Sequence, residues 1–121
     1  MKMNIISKSK HNLPRYETIY SAGMDLCKNI EEKNTLKTLE RVIVKTGLFI
    51  ELPEDHKAQI GPRSSIATKF GISVLNTPGT IKADYRGKIK VILINLSNEN
   101  IVIKDGDKIC QVIIAKHERA V

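Results

Sequence analysis

Four short clusters in the sequence combine glycine with side chains that can bind phosphate or exchange protons. They cover residues 22–26, 61–65, 76–87 and 106–111. Glycine lets the backbone approach a ligand closely, a property that suits loops cradling a phosphate group. Within the second cluster, Arg63 can form a bidentate contact with phosphate oxygens. The clusters therefore predict an anion site assembled from several loops.

The distribution of charge agrees with an anionic ligand. The chain of 121 residues has 20 Lys and Arg against 13 Asp and Glu, a net charge of +7. Residues 58–90 hold six basic residues against one acidic residue, Asp84. Such an excess favours phosphates, nucleic acid or an acidic membrane face, although a solvated basic surface explains it equally well.

Composition argues against several other classes of protein. No apolar run approaches the about 18 residues needed to cross a bilayer, and residues 1–8 lack a signal-peptide core, so we expect a cytoplasmic protein with no membrane partner. With no Trp, two Phe and three Tyr, the chain lacks the aromatic side chains on which single-stranded nucleic acid stacks, and we expect no nucleic-acid partner. Cys27 and Cys110 are too few for a disulfide framework or a metal cluster, and we expect free, buried thiols.

The elements that must position these clusters are strands. Apolar residues alternate over residues 42–52, 89–93 and 101–103. Alternation is typical of strands with one buried face, whereas the nearly continuous apolar segment 108–116 is expected to be buried on both faces. The pattern predicts one all-β domain over residues 1–121, a sandwich or a barrel. Only residues 62–69 could form a helix, a short one with Pro62 in its first turn.

Taken in order, the four clusters resemble the sequence blocks of the homotrimeric dUTP diphosphatase (dUTPase) family. The matching blocks are AGMDL at 22–26, GPRSS at 61–65, NTPGTIKADYRG at 76–87 and GDKICQ at 106–111. The resemblance implies a dUTPase-like β jelly roll, or β-clip, that assembles as a threefold trimer with its sites at the subunit boundaries. It also implies hydrolysis of dUTP to dUMP and diphosphate, with Mg²⁺ bound through the substrate triphosphate.

The resemblance assigns residues of the first, second and fourth blocks to the phosphates and the metal ion. Arg63, Ser64 and the neighbouring Ser65 would bind the phosphate oxygens, and Gln111 would contact the same side of the substrate. Asp25 would support the water shell of the metal ion. By themselves, these residues also fit ordinary roles, Asp25 as a turn cap and Gln111 as a strand residue bonded to its neighbour.

The third block resembles a β-hairpin that receives the nucleoside. Asn76 would pair with the uracil edge and reject cytosine, whose exocyclic amine reverses the hydrogen-bond pattern. Tyr85 would pack against the deoxyribose and leave no room for a 2′-hydroxyl. The substrate-binding residues of this block would be Asn76, Gly79, Thr80, Ile81 and Tyr85. An ordinary hairpin core would also account for Thr80, Ile81 and Tyr85.

Two features depart from the family pattern. The family has an aspartate three residues before the tyrosine, acting as general base on the attacking water, and here that position is Lys82, which cannot accept a proton while charged. Asp84 is the nearby substitute base, which we expect on the same strand face as Lys82. The Gly-rich C-terminal arm of the family is also expected to be absent, since no glycine follows Gly106.

These departures leave two main hypotheses about function. We predict a dUTP diphosphatase whose turnover is impaired, and the alternative is a non-catalytic trimer that binds uracil deoxynucleotides. A basic, nucleic-acid-binding barrel fits the net charge, but the four ordered blocks and the few aromatic residues count against it. A deaminase of the same fold would need a glutamate-centred site, and no glutamate lies between Asp55 and Glu99.

Overall fold

The structure, a computed structural model, describes residues 1–30 and 32–121 as eleven strands and one short helix. The strands are β1 (Asn4–Ser7), β2 (Gly23–Cys27), β3 (Asn34–Leu36), β4 (Arg41–Lys45), β5 (Leu48–Glu51), β6 (His56–Gly61), β7 (Ile72–Val74), β8 (Gly79–Ile81), β9 (Lys90–Asn95), β10 (Ile101–Ile103) and β11 (Lys108–Lys116). The helix, α1, spans Ser64–Phe70. The prediction of an all-β fold is confirmed. Within the described ranges, no helix is long and apolar enough to cross a membrane.

The described strands pair into four antiparallel sheets. The largest has the strand order β2-β11-β6-β8, and the next has the order β4-β9-β7. The other two are the pairs β1-β5 and β3-β10. Because most paired strands are distant in sequence, hydrogen bonding between strands brings the four sequence clusters into one structure.

Side chains from all four sheets form one apolar core. In β9 the predicted alternation is clear, since Val91, Leu93 and Asn95 are buried and the residues between them are half-buried. In β11 the prediction of burial on both faces holds only for the first half. Ile109 and Cys110 are both buried, whereas residues 113–115 are half-buried.

The predicted strand over residues 42–52 is two strands in different sheets. β4 pairs with β9, and β5 pairs with β1. The chain turns between them at Gly47, whose φ of +73° is a conformation that side-chain-bearing residues rarely adopt. The Thr46 hydroxyl stabilises the turn by donating a hydrogen bond to the carbonyl of Ile89 (2.8 Å). Alternation alone missed the break because the buried positions keep the same parity on both sides of it.

The predicted helix is present, and it ends one residue later than expected. Arg63 precedes its first residue in an extended conformation, so Pro62 lies outside the first turn rather than in it. The helix ends at Gly71, which has a φ of +66° and donates its N–H to the carbonyl of Ala67 (3.1 Å). All seven side chains of α1 are exposed or half-buried.

Lys28 is a fully buried lysine that joins the loop after β2 to β10. Its amine donates hydrogen bonds to the carbonyls of Glu32 and Ile103, the latter at 3.0 Å. Its backbone exchanges hydrogen bonds with Gly106 and Asp107, in the turn before β11. Burial lowers the pKa of this amine, as expected for a cation removed from water.

Asn95 at the end of β9 is buried, and both the nitrogen and the oxygen of its side-chain amide have hydrogen-bond partners. Nδ2 donates to the carbonyls of Leu36 (2.9 Å) and Glu99 (2.7 Å). Oδ1 accepts from the N–H (2.9 Å) and the hydroxyl (2.7 Å) of Ser97. One side chain thereby fixes β3 against the turn that leads to β10.

We expect Asn95→Ala to lower the free energy of unfolding by about 3 kcal/mol, because each buried group left without a partner costs about 1–3 kcal/mol. Urea unfolding followed by circular dichroism measures the change. Asn98→Ala is the matched control, since Asn98 is exposed in the same turn and surface substitutions usually change stability by about 0.5 kcal/mol or less. Equal losses in the two variants would contradict the role given to Asn95.

Candidate functional site

The outer face of the β2-β11-β6-β8 sheet carries side chains from the predicted clusters. In the strand register, Gln111 of β11 lies opposite Asp25 of β2 and opposite Gly61 of β6. Directly opposed residues point to the same face of a sheet. The alternate positions are buried, namely Leu26, Ile60 and Val112. The side chains of Asp25 and Gln111 therefore project side by side from the outer face.

Asp25 lies between two cations. Arg63 Nε donates to Asp25 Oδ1 at 3.0 Å, and Lys108 Nζ lies 3.9 Å from Asp25 Oδ2. Arg63 Nη1 also donates to the carbonyl of Lys108 (3.4 Å). Arginine has five N–H donors, so these bonds orient the guanidinium and leave donors for an anion.

Five of the predicted site residues line one shallow depression of about 180 Å³. They are Asp25, Arg63, Ser64, Ser65 and Gln111. Gln111 Nε2 donates to the carbonyl of Pro62 (3.1 Å), and Gln111 Oε1 lies over Gly23, where an added Cβ would come within 2.4 Å of it. We call these five residues the phosphate-side group, after the role that the sequence predicts for them.

Residues 76–87 form a second group. Asn76 packs on Gly79, where an added Cβ would lie 3.3 Å from its amide nitrogen, and Thr80 and Ile81 complete β8. The Tyr85 ring lies over Gly87, and its hydroxyl donates to the carbonyl of Lys88 (2.7 Å). Arg86 holds the preceding turn by donating to the carbonyls of Ala83 (2.5 Å) and Tyr85 (3.2 Å). We call seven of these residues the nucleoside-side group, after the role that the sequence predicts for them: Asn76, Gly79, Thr80, Ile81, Lys82, Asp84 and Tyr85.

The part of the second group that carries Lys82 is far from Asp25 within one chain. β2 and β8 are the two outer strands of the sheet, so three strand spacings, roughly 14 Å, separate them. Lys82 follows Ile81, which pairs with Ala58 of β6. Ala58 lies three positions along β6 from Gly61, which adds roughly 10 Å along the strand direction. Within a single chain, Lys82 therefore faces a different place on the surface from Asp25.

The predicted hairpin over the third block is wrong in its strand pairing. β8 pairs with β6, and β9, the next strand along the chain, pairs with β4 and β7. The reason is the core, in which Ile60 of β6 is buried against Gly79, where an added Cβ would lie 3.6 Å from its side chain. The block is therefore a strand followed by a turn.

The expectation that Lys82 and Asp84 share a strand face is also wrong. β8 ends at Ile81, and the N–H of Tyr85 donates to the carbonyl of Lys82 (3.1 Å), which closes a turn. Lys82 Nζ lies 3.8 Å from Asp84 Oδ1, and their side chains are 78% and 80% exposed. The alternation rule does not apply, because both residues lie beyond the end of the strand.

Neither cysteine is placed to act as a nucleophile. Desolvation raises the pKa of Cys110 to about 12 and also raises the pKa of Cys27. Both side chains are free thiols, Cys110 buried and Cys27 half-buried. The thiolate is the reactive form, so neither residue is suited to covalent catalysis at neutral pH.

Lys108 and Glu17 also take part in the contacts of the site, which the sequence did not predict. Lys108 Nζ lies 4.0 Å from Glu17 Oε1 as well as near Asp25, so it links the loop before β2 to the site. No motif signals this contact, because it depends on how β11 is placed against β2. In the described ranges, no three His, Cys, Asp or Glu side chains come together in a way that could hold a metal ion.

Comparison with known proteins identifies relatives over nearly the whole chain. A family model described as dUTPase matches residues 9–121. The deoxyuridine 5′-triphosphate nucleotidohydrolase of Cytophaga hutchinsonii is 57% identical over 118 residues, which are 98% of this chain and 77% of that protein. The protein of the same description from Finegoldia magna is 51% identical over 118 residues, with 98% and 82% covered.

Solved structures share the fold at lower identity. The dUTPase from phage phi11 of S. aureus superposes with a TM-score of 0.87 at 19% identity and covers 100% of this chain and 94% of that chain. A variant of the Staphylococcus bacteriophage 80alpha dUTPase, solved with dUpNHpp, has a TM-score of 0.86 at 20% identity, with 99% and 93% covered. A phi11 variant with a TM-score of 0.86, 19% identical and covering 100% of this chain and 94% of that chain, is described with a structural Mg(II) ion. These likenesses agree with the expected β jelly roll.

We expect Gly23→Ala to weaken anion binding about fivefold, because the added methyl group would displace the Gln111 amide and break a hydrogen bond worth about 1 kcal/mol. Calorimetric titration with inorganic diphosphate measures the effect. Gly61→Ala is the matched control, since a Cβ there would meet only the Thr77 hydroxyl at 3.8 Å, an ordinary contact. If both variants bind diphosphate like the unmodified chain, the Gln111 amide has no part in anion binding.

Proposed function

This chain belongs to the dUTPase family and is a nucleotide hydrolase, and from that premise we propose that it converts dUTP and water to dUMP and diphosphate in a homotrimer with shared sites. The single observation that carries the sharing of sites is the separation of the two groups. Asp25 lies on one outer strand of the sheet, β2, and Lys82 directly follows the other outer strand, β8, so the two residues face different places. A second copy of the chain would supply the nucleoside-side group that completes each phosphate-side group.

Two surfaces support association. α1 is seven residues long, and within the described chain none of its side chains is buried. Helices this short are marginal in water without packing partners. On the three-stranded sheet, Ile43, Ile92 and Leu75 form an apolar row across β4, β9 and the end of β7, and Ile43 is 62% exposed. Contiguous exposed apolar residues mark interaction surfaces.

The phosphate-side group suits a triphosphate. Arg63 would bind phosphate oxygens through the donors that Asp25 leaves free, and the exposed Ser64 and Ser65 would add hydroxyl and backbone donors at the start of α1. Gln111 would donate to the same oxygens from β11. The positive charge of Arg63 beside these hydroxyl and amide donors favours a polyanion.

Mg²⁺ would reach this site mainly with the substrate. Magnesium usually keeps several waters and binds through one or two carboxylates together with substrate phosphates. Asp25 fits that role, because it is a lone carboxylate whose oxygens already face Arg63 and Lys108 and which would therefore bind the ion through water. When bound, the ion would neutralise charge on the triphosphate.

The nucleoside-side group would select the base and the sugar. Asn76, Gly79, Thr80 and Ile81 would present the amide side chain and the backbone of β8 to the uracil edge. The Tyr85 ring, fixed by its hydroxyl bond to Lys88, would pack on the deoxyribose and exclude a ribose 2′-hydroxyl. Selectivity for dUTP over dCTP and UTP would follow from these contacts.

Lys82 would limit the rate. In forming dUMP, water adds to the α-phosphorus, the bond to the β-phosphate oxygen breaks, and diphosphate leaves with the electron pair. The proton released by the water needs an acceptor, and an exposed, charged lysine is not one. Asp84 is the adjacent carboxylate. If it cannot take the proton, the second candidate function applies, a non-catalytic trimer that binds uracil deoxynucleotides.

Mixing two variants tests whether sites are shared. Arg63→Ala and Tyr85→Ala should each bind dUTP weakly, and each should sediment as a trimer. Refolding the two together should restore tight binding at about one site in four, because random assembly places both intact groups at one boundary with that frequency. A trimeric mixture without recovery would show that each site forms within one chain, and a monomer would remove the proposed sharing altogether.

Lys82→Asp should raise the rate of diphosphate release from dUTP by at least ~10²-fold, the lower end of the contribution of a general base. Lys90→Asp is the control, since it makes the same change of charge at an exposed position at the start of β9. An unmodified chain that already turns over at about 1–10 s⁻¹ would contradict the proposed limitation, and Asp84→Asn should then abolish activity. Tight dUTP binding without turnover in Lys82→Asp would favour the non-catalytic alternative.

A further inference from the structure

The turn before β11 is held by the N-terminal segment. His11 Nε2 donates to Asp105 Oδ1 at 2.9 Å, and Lys10 Nζ lies 2.6 Å from Asp105 Oδ2. The His11 ring also packs on Gly106, where an added Cβ would lie 3.1 Å from Cε1. The hydrogen bonds from Lys10 and His11 lower the pKa of Asp105, which keeps the carboxylate charged. We call Lys10, His11 and Asp105 the Asp105 clamp.

The N-terminal side of the clamp is itself fixed to the body of the protein. The Ser9 hydroxyl and the Lys10 N–H both donate to Asn29 Oδ1, at 3.3 Å and 3.2 Å. The His11 N–H donates to the Ser9 hydroxyl (3.0 Å). His11 is thus attached to the loop after β2, and its bond to Asp105 joins that loop to the turn before β11.

The start of β11 needs such support because its pairing is irregular. The register of β11 against β2 shifts between Lys108 and Cys110. Lys108 nevertheless makes two contacts that orient the phosphate-side group, from its amine to Asp25 and from its carbonyl to Arg63. A displacement of the turn would move Lys108, and the Asp25 and Arg63 side chains would lose a common support.

We propose that His11 and Asp105 are positioning residues for the triphosphate of the substrate. They touch no reacting atom, and they act through Lys108 on the orientation of Asp25 and Arg63. The proposal rests on the proposed function for the identity of the ligand. The clamp lies outside the sequence blocks that match the family. Asp105 directly precedes the fourth block, and His11 lies well before the first.

The test compares two nucleotides in the full chain. Asp105→Ala should weaken binding of dUTP about tenfold, as expected for loss of a charged hydrogen bond, and binding of dUMP by less than about threefold, because dUMP lacks the β- and γ-phosphates. Asp105→Asn keeps an oxygen for His11 and should remain within about threefold for both. His11→Ala should lose no more than Asp105→Ala, which also removes the contact with Lys10, and the double variant should lose little more than Asp105→Ala, because it removes the same contact with His11.

Hydrogen exchange of the peptide 106–112 provides a readout that does not depend on the ligand. Exchange should become faster in Asp105→Ala and stay unchanged in Glu118→Ala, an exposed carboxylate removed as control. Equal losses for dUTP and dUMP, additive effects of the two substitutions, or unchanged exchange would each overturn the proposal. If the unmodified chain binds neither nucleotide, the proposed function fails, and the exchange measurement then decides whether the clamp holds β11.

Discussion

The antiparallel register of β11 between β2 and β6 is the constraint on which the candidate site depends. It places Gln111 opposite Asp25 and Gly61 in one row, and it sends Val112 and Ile60 into the core on the other face. A shift by one residue would exchange the two faces, burying the polar row and exposing the apolar one. The same burial that stabilises the sheet therefore fixes which side chains can meet a ligand.

This constraint is strong in the middle of β11 and weak at its start. Residues 111–116 pair with β6 in an unbroken register, whereas Lys108 precedes a shift in the pairing with β2. Side-chain contacts reinforce the irregular pairing there, from Asp105 to the N-terminal segment and from Lys108 to Asp25. The structure thus supports the two ends of the phosphate-side group in different ways, by sheet pairing at Gln111 and by ion pairs at Arg63.

Much of this architecture was predictable from local patterns, and the rest depended on tertiary contacts. Alternation located β9 and β10, and the bounds of β11 were correct, because apolar spacing reports burial directly. Alternation did not reveal the turn at Gly47, because the buried positions are even-numbered on both sides of it. Motif order grouped Arg63 with Gln111, and in the structure both residues line one depression. Nothing local could indicate that Lys28 is buried, since one of its two carbonyl partners, Ile103, is distant in the chain.

The two charged positions of greatest interest are held to different degrees by the fold. Asp25 is three-quarters buried beside Arg63, so losing its carboxylate would leave a partly buried cation without its partner, which is costly. Lys82 is exposed, outside any strand, and 3.8 Å from one equally exposed carboxylate, and such surface pairs contribute about 0–1 kcal/mol. The fold therefore constrains Asp25, for which we propose a role at the phosphates, and leaves Lys82, at the position of the family's general base, free to vary. A lysine can occupy that position at little cost in stability, and its consequences fall on the chemistry of the site.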